Sequence, residues 1–198
     1  MRQLLPLIPL LLTSALAPCI DAHVLTVRVH NVSAADKRDI ARLEETATVI
    51  FQNARISVVW IECVVSGSHA PAPAACEEQP SPDHVVLVVT NVHARAADHV
   101  IGWTNLGTFI ANLDYRKAKE MAGASKLHLS CGHILGYSAA HEIGHLLLGS
   151  ADHGLFGIMK SNYDPRDLLA MSQGRLNFVE DDARRMRARL NCPSPAAR

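Results

Sequence analysis

From residue 23 to residue 30 the side chains alternate, with His23, Leu25, Val27 and Val29 on one face and Val24, Thr26, Arg28 and His30 on the other. A period of two marks a half-buried strand. The period then lengthens: Ile40, Leu43, Ala47, Ile50 and Ala54 recur every three or four residues, one apolar helical stripe. Ser33, with Asp36 three residues on, is placed to open that helix as a capping pair. A second strand is expected over 56–62, and the apolar run 85–89 suits a strand buried on both faces. Between them, 63–83 holds four prolines and reads as a surface loop. Residues 93–105 read as loop too. Residues 108–115 read as a further strand, placed at a sheet edge because charged Lys117, Lys119 and Glu120 follow closely.

The pattern over 133–148 is helical, with Leu135, Ile143 and Leu147 available to a core. A last helix is expected to open at Asn177, with Glu180 three residues on, and to run through Leu190. Its buried stripe is Val179, Ala183, Met186 and Leu190; Arg184, Arg185, Arg187 and Arg189, beside Asp181 and Asp182, read as a solvated face. The order strand–helix–strand–strand predicts an α+β (mixed α/β) domain. Its elements are a small twisted mixed sheet, an N-terminal helix, the helix over 133–148 and a closing C-terminal helix.

The helix over 133–148 carries His141-Glu142-Ile143-Gly144-His145. Residues four apart on a helix stand one above the other, so both imidazoles can meet one tetrahedral zinc. Glu142 lies one step round, beside a metal-bound water rather than on the metal. Zinc lowers the pKa of such a water to about 7, and a nearby carboxylate can take its proton as it attacks a carbonyl. Gly149, His153 and then Gly157-Ile158-Met159 follow.

Over 141–159 the chain resembles the metzincin zinc peptidases, a clan that includes matrix metalloproteinases and archaemetzincins. The resemblance implies His141, His145 and His153 as Zn2+ ligands, Glu142 as general base, Gly149 as the glycine that turns the chain, and Met159 as the methionine in the turn beneath the metal. The clan's usual glycine and third ligand stand seven and ten residues after the first histidine. Here Gly149 stands eight after His141 and His153 twelve after. Asp152 nearby and Glu180 on a later helix are therefore alternative third ligands. Tyr163, four residues past Met159, is a candidate hydrogen-bond donor to the transition state, and Tyr137 reads as packing. The resemblance also lays a peptide or protein substrate along the strand over 108–115, as an added strand.

The 198 residues suit one domain, and a formal net charge of zero gives no basic face for nucleic acid. Residues 1–22 read as a signal peptide: Arg2, an apolar stretch broken by Pro6 and Pro9, and a cleavage site after Ala22. A retained membrane anchor is the rival reading. Export implies a secreted or periplasmic domain over 23–198, without stable membrane association and monomeric. It leaves Cys63, Cys76, Cys131 and Cys192 in a compartment where disulfides persist. Proximity favours Cys63–Cys76, which leaves Cys131–Cys192; the other pairings stay open. The expected function is a secreted zinc-dependent peptidase, and an endopeptidase. The rivals are a secreted zinc-binding or interaction protein without turnover and a zinc hydrolase of non-peptide amides.

Overall fold

A computed structural model describes residues 23–64, 71–92 and 101–190. Strand β1 (Val24–Asn31), helix α1 (Lys37–Asn53) and strand β2 (Ser57–Val64) come first. A short 3-10 helix (Ala74–Glu77), β3 (His84–Thr90), β4 (Gly102–Asn105) and β5 (Ile110–Asp114) follow. The chain closes with α2 (Tyr115–Ala124), α3 (Cys131–Leu148), α4 (Pro165–Ser172) and α5 (Glu180–Leu190). The strands form one mixed sheet in the order β2-β1-β3-β5-β4. The first four are parallel, and β4 runs antiparallel to β5. The expected mixed α/β architecture is present.

Alternation sends Leu25, Val27, Val29, Val85, Leu87, Val89, Ala111 and Leu113 to one face of the sheet, where all are buried under α1 and α3. Each large apolar side chain buried this way contributes about 1.5–3 kcal/mol. On the other face Arg28 is fully buried, and its Nη1 donates to the carbonyls of Glu78 at 2.5 Å, Ala75 at 3.3 Å and Cys76 at 3.4 Å. The Cys63–Cys76 disulfide, Cα atoms 5.6 Å apart, ties this loop to β2 as expected. Cys131 is a buried free thiol; Cys192, its expected partner, lies outside the described residues, as do residues 1–22, over which a signal peptide is expected. Among the described residues no helix is long and apolar enough to cross a membrane.

Helix α3 lies unusually close to α1. A Cβ on Gly136 would stand 2.5 Å from Thr46 Cβ, and one on Gly132 would stand 2.6 Å from the Asp39 carbonyl. Ser130 opens α3 by accepting from the His133 N–H at 3.3 Å. Gly149, at φ 64°, ends it in the left-handed conformation that favours glycine.

Several boundaries differ from the expectation. Ser33 does not open α1: Ala34 at φ 57° breaks the run, and Asp36 caps the helix by accepting from Arg38 N–H at 2.8 Å. The Ser33 hydroxyl donates instead to Asn31 Oδ1. Residues 102–105 are strand rather than loop, and this strand, β4, is an edge of the sheet among the described residues. The strand expected there, β5, is paired on both sides. Lys117, Lys119 and Glu120, which suggested an edge, belong to α2, capped by Asp114 accepting from Lys117 N–H at 3.0 Å. Asn177 does not cap α5; its Oδ1 accepts from Asn53 Nδ2 at 2.8 Å. Two of the four arginines are not merely solvated. Arg187 donates to the Ala54 carbonyl at 2.8 Å, and the Arg189 guanidinium lies over the Phe109 ring.

Candidate metal centre

His141 and His145 stand one turn apart near the end of α3, with their Nε2 atoms 3.1 Å from each other. His141 Nδ1 lies 2.7 Å from the Ile158 carbonyl and His145 Nδ1 2.8 Å from the Ser150 carbonyl. A carbonyl only accepts, so each Nδ1 carries the proton and each Nε2 turns a bare lone pair toward its neighbour. Two such lone pairs repel unless a cation lies between them. Two nitrogens on a tetrahedral zinc, each at 2.0–2.1 Å, stand about 3.3 Å apart. Burial holds His141 down to about 4, opposed by its bond to Ile158, and burial also lowers His145. Both rings are therefore neutral near pH 7, as ligation requires.

His153 completes the group. One ring nitrogen from each of His141, His145 and His153 can be chosen so that all three lie within 4.8 Å of one another. The extra residues in the spacing are absorbed by Gly149, which turns the chain, and by Ser150, whose hydroxyl both receives the Asp152 N–H and donates to Asp152 Oδ2 at 2.8 Å. The Asp152 carboxylate is thereby engaged within its own loop. Glu180 sits in the first turn of α5, paired with Arg187 at 2.7 Å. Among the described residues, only the three imidazoles form such a cluster. Three imidazole nitrogens gathered in this way fit a zinc ion.

Glu142 points off the same turn and is 7% exposed. Burial raises its carboxyl to about 7, against the opposing pull of a hydrogen bond from Thr104. The floor of the site is Met159, which is fully buried. A Cβ on Gly144 would stand 2.6 Å from Met159 Sδ and 2.9 Å from Phe178, so a larger residue there must displace the methionine that lies beneath it. The methionine loop is held by Gly154 N–H donating to the Met159 carbonyl at 2.8 Å and by Gly157 at φ 71°.

The Tyr163 hydroxyl donates to the Ile158 carbonyl at 2.6 Å, the acceptor that also orients His141. That corrects its expected role: the hydroxyl is spent on holding the methionine turn. Tyr137 is packing, as expected, buried with its hydroxyl on the Met171 carbonyl. His133 stacks on Tyr137, away from the group. Thr104, Gly102 and Gly144 were not singled out by sequence reasoning. A glycine in a helix interior destabilises it by roughly 0.5–1 kcal/mol, so Gly144 was itself a readable signal of close approach.

Fold and site together define a mixed α/β domain in which two imidazoles on the helix that packs beneath the sheet's antiparallel edge, and a third from the loop after it, form one cradle. No family model and no curated protein matches the chain. Solved structures do resemble it. A zinc-dependent peptidase from Methanocorpusculum labreanum (strain Z) is similar over 83% of this chain and 100% of that one, with a TM-score of 0.54 and 15% identity. At that identity the likeness establishes the fold. Two archaemetzincins also align, one from Archaeoglobus fulgidus complexed with malonate (TM-score 0.45, 18% identity, 81% of this chain and 99% of that one). The other is from Methanopyrus kandleri (TM-score 0.49, 14% identity, 89% of this chain and 100% of that one).

Proposed function

We propose that the chain is an exported, monomeric zinc-dependent endopeptidase of metzincin type, with His141, His145 and His153 as ligands and Glu142 as general base. The observation that carries this reading is the pair of Nε2 lone pairs 3.1 Å apart, with His153 beside them and a buried carboxylate on the same turn. Zinc held there supplies a Lewis acid for the scissile carbonyl and makes water acidic enough to lose a proton near neutral pH. With the metal in place, the Glu142 carboxylate would be positioned to accept a proton from water and return it to the leaving amide nitrogen. Among the described residues the outer side of β4 is a free edge of the sheet, and a peptide added there in extended form brings its backbone past Glu142. Export is supported by the character of residues 1–22 and by the Cys63–Cys76 disulfide, a bond that persists in oxidising compartments.

The test is elemental analysis of the mature protein beside His153→Ala, followed by casein hydrolysis with Glu142→Ala as control. Wild type is expected to hold one zinc and to cleave casein. His153→Ala should lose the metal, and Glu142→Ala should keep it without turnover. Zinc retained undiminished in His153→Ala would remove the third ligand. Bound zinc without casein cleavage would leave a zinc-binding protein, or a hydrolase of other amides if cell-wall fragments were cleaved instead.

A further inference from the structure

Strand β4 reaches the site through two side-chain positions. Gly102 and Thr104 are two apart, so alternation puts them on one side of the strand, and both meet Glu142. Thr104 Oγ1 lies 2.5 Å from Glu142 Oε2 and 3.1 Å from the Glu142 backbone carbonyl. A hydroxyl has one hydrogen, and the shorter distance gives it to the carboxylate. At Gly102 an added Cβ would stand 2.6 Å from Glu142 Cγ and 2.9 Å from Oε1. One carboxylate oxygen is thus tied to β4, and the rest of the side chain fills the space that a bare backbone leaves. Fully half of this four-residue strand is given over to seating one glutamate.

We propose that Thr104 is a positioning residue for Glu142, with Gly102 as its required gap, so that the edge strand receiving the substrate also sets the general base. The inference rests on the peptidase reading above. Its physical content is a shared reference: a peptide paired to β4 and a carboxylate bonded to β4 are placed by the same four residues. The attacking water then meets a base already in register with the bond to be cut, which is where positioning acts on rate.

Thr104→Val keeps the shape and removes the donor, and Thr104→Ser keeps the donor. With casein-derived peptides, Thr104→Val should lower kcat about 10- to 100-fold with KM within about twofold and zinc content unchanged. Thr104→Ser should stay within about threefold of wild type. A second measurement needs no turnover. A peptide hydroxamate hands a proton to a neighbouring carboxylate as it binds zinc, whereas imidazole binds through a lone pair and hands over none. Thr104→Val should weaken the hydroxamate about 10-fold and leave imidazole unchanged. Equal losses in Val and Ser, or a Val variant with wild-type kcat and wild-type hydroxamate affinity, would overturn the assignment. If the wild type binds zinc and both probes but cuts no peptide, the peptidase reading is what fails, and the ratio of hydroxamate to imidazole affinity still decides Thr104.

Discussion

Gly132 and Gly136 bring α3 against α1; Gly144, about two turns further along the same helix, brings it against Met159 and Phe178. The spacing of small residues is the same, yet what they touch differs. In the first half the neighbours are the Asp39 and Leu43 carbonyls, the root of the Arg42 side chain and the branched Thr46 side chain, backbone or near-backbone atoms with little room to retreat. In the second half the nearest neighbour is the thioether end of a methionine, which adapts. The first half carries no chemistry and is locked to its partner helix. The second half carries two histidines and a buried glutamate above a floor that can adjust. A helix that must present ligands to within a few tenths of an ångström is anchored at one end so that the other can be loaded with polar groups. The two ends should therefore respond differently to substitution.

The largest expected effect lies at the polar end and leaves the anchor alone. Glu142→Ala should lower kcat about 10²- to 10⁴-fold, with one zinc still bound and the melting temperature not reduced, because the group removed is a buried carboxyl. Peptide-cleavage kinetics, metal analysis and a thermal melt on one preparation check this. A clear loss of stability in that variant would mean that the polar end also holds the fold.

The anchor gives the complementary result. Gly136→Ala drives a methyl into Thr46 and should cost about 1–3 kcal/mol of stability by urea unfolding, while the fraction that folds still takes up zinc. Gly144→Ala should cost less stability, because Met159 can move. It should also weaken zinc binding, because the turn that orients His141 rests on that methionine. A larger stability loss at Gly144 than at Gly136 would reverse the comparison. Tyr163→Phe probes the same turn more gently. It leaves the Ile158 carbonyl bonded to His141 alone, and zinc affinity should fall about 10-fold, as changes just behind a metal ligand do, with little change in unfolding.

How much of this was legible in the sequence follows the same division. The strands of the core were readable because alternation at Leu25, Val27 and Val29 is a direct image of burial on one face. The ligand cluster was readable because a helix fixes the geometry of His141, Glu142 and His145 from spacing alone. Whether His153 could reach them was not readable, since it depends on the turn made by Gly149 and on where Ser150 and Asp152 send their side chains. The edge strand was misplaced for a similar reason. The segment 102–105 is only four residues long, half-exposed and carries a glycine, so no alternation announces it, and its pairing with β5 is a tertiary fact. The charged residues after β5 were read as an edge signal when they are the exposed side of α2. Thr104 and Gly102 were lost with that strand. The glycines of α3 were visible throughout, at every fourth position with Ala140 between them, and their meaning needed only the partner helix to be known.

The smallest expected effect tests whether the anchor has a pH dependence independent of the metal. Glu44 on α1 is partly buried facing Glu62 of β2, and among the described residues its Oε1 has no hydrogen-bond partner. Burial, with repulsion from Glu62 added, raises its carboxyl from the ordinary 4.5 to about 7. A folded chain therefore holds a proton there that the unfolded chain has released. The stability contributed by this group is whole below about 4.5 and is lost as pH rises through about 7. His141 and His145 run the other way: burial depresses them, so their contribution is present above their ordinary 6.5 and is lost as pH falls through their folded values. Glu44→Gln shares those histidines with the wild type, so the difference between the two proteins isolates the carboxyl. In metal-free protein the variant should match wild type below pH 4.5 and exceed it by about 1 kcal/mol at pH 8, the full shift being discounted for the carboxyl's contact with solvent. Its zinc affinity should be that of the wild type, because the change lies at the end of the molecule that holds the helix and not at the end that holds the ion. A stability difference that is the same at both pH values would show that Glu44 is seated by packing rather than by its proton.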